Sequence, residues 1–211
     1  MKTKIFNLIV IDESGSMCVI EKEALGSVNE TIQTIRSAQK EYADQEHYVS
    51  IVTFNNKVKT VVECVHVDDV ADIAAREYRP NGCTALYDAM GFSLTALRER
   101  VADEDRVLVT VVTDGLENAS TEYRGETIKA LVEDLKSRGW VFAYIGANQD
   151  VAAVAASISI VNSMKFETTS EGAVEMSRKW NYARWKLYDR VDDGSFCAND
   201  ANENFFDDGN A

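Results

Sequence analysis

The sequence predicts an α/β fold, in which a doubly wound, mostly parallel sheet carries helices on both faces. Two almost wholly apolar runs, residues 5–11 and 107–113, are typical of strands that are buried on both faces of a parallel sheet. Helical periodicity follows each run, in residues 21–42 and 128–135, so strands and helices alternate along the chain. A chain of 211 residues can bury such a core without disulfides or structural zinc.

The other elements follow from the same patterns. Two β-branched runs flank the turn signal Asn55-Asn56 and predict a hairpin. In chain order the predicted elements are strand 5–11, helix 21–42, strands 48–54 and 58–67, helix 84–101, strand 107–113, helix 128–135, strand 140–145, a weaker strand 164–166 and helix 171–188. The last helix combines basic and aromatic residues, which we interpret as a packing helix whose basic groups reach solvent, in preference to a nucleic-acid surface.

Charge distinguishes the end of the chain from the rest. The formal net charge is -13, and six of those units come from acids that follow Arg190, the last basic residue. The Asp-, Asn- and Gly-rich composition predicts a disordered tail over residues 192–211, although its acids could also fold back on the basic helix. So acidic a surface repels phosphate backbones, which disfavours nucleic acid as a partner. No apolar run approaches the length of a membrane span.

The four cysteines, Cys18, Cys64, Cys83 and Cys197, form no Cys-x-x-Cys pair and have no regular spacing. This pattern favours free thiols in a reducing compartment, so we expect a cytoplasmic protein. Cys18 and Cys83 lie close in sequence to the polar residues described next. We interpret them as small buried thiols in preference to a redox pair.

Oxygen-bearing side chains follow the two most buried strands and open a helix between them. Asp12, Ser14 and Ser16 follow the first strand, Thr84 begins the helix, and Asp114 ends the later strand. In doubly wound sheets, ligands bind at the carboxyl ends of the strands. Two carboxylates and three hydroxyls are oxygen ligands suited to Mg²⁺ or Mn²⁺. The sequence therefore predicts a metal site at this edge of the sheet.

These residues resemble the motifs of the von Willebrand factor type A (VWA) domain with an intact metal-ion-dependent adhesion site. The Asp-x-Ser-x-Ser motif of that family falls on residues 12–16, its loop threonine on Thr84, and its Thr-Asp-Gly strand end on residues 113–115. The resemblance covers residues 4–166 and implies a six-stranded sheet with one antiparallel edge strand. We accordingly assign residues 1–166 to the domain, 167–191 to a C-terminal helix and 192–211 to the tail.

The resemblance also implies a function. Ser14, Ser16 and Thr84 would bind the metal directly, and Asp12 and Asp114 would act through bound water or the serine hydroxyls. The expected cofactor is Mg²⁺, with Mn²⁺ or Ca²⁺ as alternatives. A carboxylate from a partner protein would complete the coordination shell, so the resemblance implies a protein-interaction module and not an enzyme.

Several supporting roles are left open by the sequence. Asp88 lies on the same helical face as Thr84 and could support the site or simply cap a turn. We expect Glu13 to be solvated and Asn118 to shape its loop. An α-helix that starts directly after Ser16 would point its positive end at the site.

Three alternatives compete with this interpretation. The hydroxyls of Ser14, Ser16 and Thr84 could cap helices. A phosphohydrolase of the haloacid dehalogenase type also places an aspartate after its first strand, and residues 145–150 faintly resemble its acidic motif, but that chemistry needs a second carboxylate where Ser14 stands. A structural VWA-fold module without metal use is the third alternative.

Overall fold

The computed structural model describes residues 2–147, 150–197, 200, 202–203 and 205–206. Within them the elements are β1 (Thr3–Asp12), α1 (Glu21–Glu41), β2 (Gln45–Phe54), β3 (Val58–His66), α2 (Leu86–Arg98), β4 (Arg106–Thr113), α3 (Gly125–Ser137), β5 (Val141–Gly146), α4 (Val151–Ser157), β6 (Asn162–Lys165) and α5 (Ser170–Asp192). All the predicted helices and strands are present. The short helix α4 was not predicted.

Six strands form one sheet in the described part of the chain, in the order β3-β2-β1-β4-β5-β6. All neighbouring strands are parallel except β2 and β3, which form the antiparallel hairpin at one edge. This arrangement confirms the predicted fold. The order reverses between β1 and β4, and there Ile11 pairs with Val112, so that Asp12 and Thr113 come next to each other at the carboxyl ends of adjacent strands.

Alternation along β1 divides the core into two layers. Ile5, Ile9 and Ile11 face α1 and α5, whereas Leu8 and Val10 face α2, α3 and α4. Both sets are buried, which explains why the strand is apolar throughout. The helices cover both faces of the central strands, and the loops lie at the carboxyl ends of β1 and β4.

The segment between β1 and α1 differs from the prediction. A six-residue 3-10 helix, Gly15–Ile20, follows the first motif, and α1 begins only at Glu21. The expectation of an α-helix directly after Ser16 is therefore wrong. Met17 and Ile20 of this short helix are buried, and their packing anchors the motif to the core.

The C-terminal helix packs against α1 and the sheet, with Trp180 and Tyr188 buried. We expected the basic groups of this helix to reach solvent, but Arg184 is buried and only 1% exposed. Beyond the helix, the Arg190 guanidinium lies 2.5 Å from Asp200 and 2.9 Å from Glu203, as expected if the tail folds back. Residues 198–199, 201, 204 and 207–211 of the predicted disordered tail lie outside the described residues. No described helix is long and apolar enough to cross a membrane.

Candidate functional site

Asp12 lies at the end of β1, is fully buried and has a fixed carboxylate. One carboxylate oxygen accepts a hydrogen bond from the Ser14 backbone N–H at 2.6 Å, and the other accepts from the Thr113 hydroxyl at 2.6 Å. The Tyr78 hydroxyl donates to the Asp12 backbone carbonyl at 2.6 Å. Both strand ends and a separate loop thus hold Asp12. Tyr78 was missed in the sequence, because a lone tyrosine in a loop carries no motif.

The two serines of the first motif and the aspartate at the end of β4 form one polar cluster. The Ser16 hydroxyl donates to the Asp114 carboxylate at 2.5 Å. The hydroxyl oxygens of Ser14 and Ser16 lie 3.2 Å apart. The cluster therefore joins residues that are nearly a hundred positions apart in the sequence.

The space above Gly115 is where the remaining oxygen atoms converge. A Cβ atom placed on Gly115 would lie 3.2 Å from Thr84 Oγ1, 3.8 Å from Ser16 Oγ and 3.9 Å from Asp12 Oδ2. Oxygen atoms from three separate segments therefore surround one small space, about the size of a methyl group. The structure brings the predicted ligand residues together at the carboxyl edge of the sheet.

The hydroxyls do not serve as helix caps, which removes one of the alternatives. Ser14 precedes the 3-10 helix, but its side chain makes no capping bond. Helix α2 begins at Leu86, so Thr84 lies outside the capping position, and within the described residues its hydroxyl has no hydrogen bond. The carboxylate of Glu117 instead accepts from the Tyr87 N–H at 2.9 Å in the first turn of α2.

The electrostatics of the site favour a cation. Burial raises the pKa of Asp12 to about 6, although hydrogen bonds from Thr113 and Ser14 lower it; the charge of Asp114 raises it further. Burial also raises the pKa of Asp114, against the lowering effect of the Ser16 hydroxyl. No lysine or arginine of the described residues forms an ion pair with either carboxylate. A bound cation would supply the missing positive charge.

Hydroxyls, not a cluster of charged ligands, dominate this site. Within the described ranges, no group of three or more His, Cys, Asp or Glu side chains is placed to hold a metal ion. The arrangement thus suits a hard cation that retains water. It does not suit zinc, which prefers nitrogen and sulfur ligands.

The loop after β1 is tied to the loop that precedes α2. The Gly15 N–H donates to the Gly82 carbonyl at 3.1 Å, and the Asn81 N–H donates to the Glu13 carbonyl at 2.9 Å. The Glu13 carboxylate accepts from the Arg79 N–H at 2.6 Å. Glu13 is partly exposed, which agrees with the expectation that it is solvated, and its carboxylate also orders the neighbouring loop.

The loop after β4 is held from α2. The carboxylate of Asp88 accepts three backbone hydrogen bonds, from the N–H groups of residues 121–123 at 2.8–3.0 Å. Asn118 accepts from the Thr84 N–H at 2.9 Å and so shapes its loop, as predicted. Asp88 thus caps the backbone of this loop and anchors it to α2.

The cysteines near the site are not buried. Cys18 and Cys83 are both exposed, so the interpretation of these residues as buried thiols is wrong. The Cys18 thiol donates to the Pro80 carbonyl at 3.3 Å. Cys18 lies in the 3-10 helix Gly15–Ile20, and Cys83 lies in the loop that precedes α2.

Residues 8–178 match the von Willebrand factor type A domain family. The chain therefore belongs to this family, and the membership supports a role as a protein-interaction module. VWA domains are generally non-enzymatic. No curated protein matches the chain significantly.

Solved structures with the same fold are distant in sequence. The chain is similar to a von Willebrand factor type A protein from Catenulispora acidiphila, with 15% identity, a TM-score of 0.61 and coverage of 85% of this chain and 42% of that one. It is similar to the PilB minor pilin from Streptococcus sanguinis, with 14% identity, a TM-score of 0.59 and coverage of 86% and 61%. It is also similar to the pilus adhesin SpaC from Lactobacillus rhamnosus GG in an open conformation, with 11% identity, a TM-score of 0.66 and coverage of 86% and 30%. The chain thus spans less than two thirds of each.

Proposed function

We propose that the chain binds Mg²⁺ through Asp12, Ser14, Ser16, Thr84 and Asp114 and uses the bound ion to capture a carboxylate of a partner protein. The observation that carries this proposal is the convergence of Thr84, Ser16 and Asp12 oxygen atoms around one point above Gly115. Mn²⁺ and Ca²⁺ are alternatives, since both accept the same oxygen ligands.

The ligand types explain why such a site would recognise an acid. Ser14, Ser16 and Thr84 would offer neutral hydroxyls, while Asp12 is already engaged by Ser14 and Thr113 and Asp114 by Ser16. The protein would thereby hold the ion while leaving much of its positive charge unbalanced. A bound Mg²⁺ supplies a Lewis-acidic position that favours an anionic oxygen from outside.

The related structures show the same fold, and they include a minor pilin and a pilus adhesin. Their low identity gives no information about the partner of this chain. A cytoplasmic location is proposed on the cysteine pattern alone.

The phosphohydrolase alternative is less well supported. It requires a second carboxylate two residues after Asp12, where Ser14 stands with its oxygen 3.2 Å from Ser16. Both oxygens of Asp12 accept hydrogen bonds in a fully buried position, which does not favour nucleophilic attack. Part of its possible acidic motif, residues 148–149, lies outside the described residues. We therefore propose a binding module without catalytic activity.

Calorimetric titration of the metal-free chain with MgCl₂ and MnCl₂ tests the metal step. We expect one site, and we expect Asp12→Asn and Thr84→Val each to weaken binding at least about tenfold. Glu13→Gln is the matched control, because it removes one negative charge from the same loop, keeps an oxygen for the Arg79 N–H and leaves the oxygen cluster unchanged. Equal affinity in all four proteins would contradict the proposal.

A pull-down from native lysate tests the carboxylate step. Proteins that bind the immobilised chain in Mg²⁺ should elute with chelator and bind again when Mg²⁺ is restored. They should not bind Thr84→Val. Retention that is the same with Mg²⁺ and with chelator would indicate a structural module that does not use metal.

A further inference from the structure

Arg184 of α5 is a buried cation without an acidic partner among the described residues. Its guanidinium donates to Asn7 Oδ1 at 2.7 Å, to Thr110 Oγ1 at 3.0 Å and to the Tyr188 hydroxyl at 3.2 Å. All three acceptors are neutral. The ring of Trp180 lies 5.1 Å from the guanidinium carbon, which compensates the charge in part. Buried charges in proteins are normally paired, so this one requires an explanation.

Three buried N–H donors, one of them on this arginine, have no acceptor within the described part of the chain. They are Arg184 Nε, Trp180 Nε1 and Asn162 Nδ2. The orientation of the Asn162 amide is set by its oxygen, which accepts from the Phe205 N–H at 2.7 Å. The nitrogen is therefore the unpaired end. Unsatisfied buried donors are rare, and two on α5 with a third on β6 indicate a missing acceptor.

All three side chains line one cavity between α5 and strands β4, β5 and β6. The other lining side chains are apolar and include Leu108 and Leu187, with Phe205 and Phe206 contributed by the tail. Counted as space open to the centre of a water molecule, the cavity measures about 20 Å³. One water needs about 10–15 Å³ by this measure, so a single water or a monatomic ion fits.

We propose that this cavity binds a monovalent anion of the size of chloride. Such an anion would lie beside the side chains of Arg184, Trp180 and Asn162, whose unpaired N–H groups are the donors nearest to hand, and it would offset the charge of Arg184. A water molecule in the same place carries no charge, and its own hydrogens would face apolar side chains. This anion site lies on the α5 face of the sheet and does not depend on the metal site.

Thermal unfolding in two salts tests the anion site. The protein is unfolded by heat in the presence of chelator, once in KCl and once in potassium gluconate of equal ionic strength. The screening of charges is then the same in both salts. We expect chloride to raise Tm by about 2–4 °C and the rise to saturate with concentration. Trp180→Phe removes one donor and keeps an aromatic ring, and it should lose most of the chloride effect. Trp140→Phe is the matched control, because Trp140 is buried in the other layer and should keep it.

A second variant keeps the test decisive if Trp180→Phe does not fold. Asn162→Asp replaces a donor with a negatively charged acceptor and retains an oxygen for the Phe205 N–H. Its Tm should be the same in chloride and gluconate. The proposal is overturned if the unmodified protein melts at the same temperature in both salts, or if both cavity variants retain the full chloride shift.

Discussion

Thr84 and Asn118 are joined by two hydrogen bonds, although they lie on different loops. The Thr84 N–H donates to Asn118 Oδ1 at 2.9 Å, and the Asn118 N–H donates to the Thr84 carbonyl at 3.0 Å. The first bond uses a side chain and the second uses only backbone. Together they fix the backbone of the residue whose hydroxyl faces Gly115, so the loop after β4 sets the position of a proposed metal ligand from the loop before α2.

Asn118→Ala should therefore weaken Mg²⁺ binding without removing any proposed ligand. The substitution leaves the Thr84 N–H without its acceptor and frees the threonine to move. We expect a loss of affinity of about tenfold, the lower end for residues that orient metal ligands. Calorimetric titration measures the loss. Asn118→Asp retains an acceptor oxygen and should restore most of the affinity, and a failure of rescue would argue against this positioning role.

Two helical glycines should respond oppositely to alanine. A Cβ on Gly26 in α1 would contact nothing within 4 Å, so Gly26→Ala should raise the free energy of unfolding by about 0.5–1 kcal/mol through the lower entropy of the unfolded chain. A Cβ on Gly91 in α2 would lie 2.3 Å from Tyr123 Cγ, so Gly91→Ala should lower that free energy by about 1–3 kcal/mol. Urea unfolding measures both. Equal effects of the two substitutions would contradict the packing of α2 against Tyr123.

His47 should make the protein less stable in acid. This histidine of β2 is fully buried, and burial, followed by the charges of Arg184 and His66, lowers its pKa to about 3. The unfolded chain binds a proton near pH 6.5, whereas the folded chain does not bind it until about pH 3. The stability is therefore complete above pH 6.5 and falls by about 1.4 kcal/mol per pH unit below it.

Urea unfolding at pH 7 and pH 5 measures this loss. His47→Gln removes the titrating group. Between pH 7 and pH 5, the free energy of unfolding of this variant should therefore fall by about 2 kcal/mol less than that of the unmodified protein. Identical pH dependence of His47→Gln and the unmodified protein would contradict a buried neutral His47.

The fold was predictable from the sequence because its pattern is local. The apolar run of β4 reflects the burial of nearly all its residues, and the periodicity of α1 reflects the burial of one helical face. The short helix α4 has seven residues, too few for a periodic signal, and its start is marked only by the side chain of Asp150, the preceding residue, which accepts from the Ala153 N–H. The burial of Arg184 could not be predicted, since two of its three acceptors come from β1 and β4.

The sequence predicted the oxygen ligands of the candidate site, but it did not predict the residues that hold the surrounding loops in place. Asp12 and Thr84 stand in motifs whose order and spacing indicate a strand end and a loop. Tyr78, Glu117 and Asp88 position those loops through bonds to backbone groups distant in the sequence. Such bonds give no recognisable spacing in the sequence, because many residue types in many positions can make them.

Anomalous diffraction from crystals grown with MnCl₂ tests the central claim most directly. We expect one strong manganese peak in the space above Gly115, bonded to the hydroxyl oxygens of Ser14, Ser16 and Thr84 at about 2.0–2.3 Å, with one position held by water or by a carboxylate from a neighbouring molecule. The peak should be lost in crystals of Thr84→Val. Crystals of the unmodified protein without a peak there, or with a lysine or arginine side chain in that space, would contradict the account.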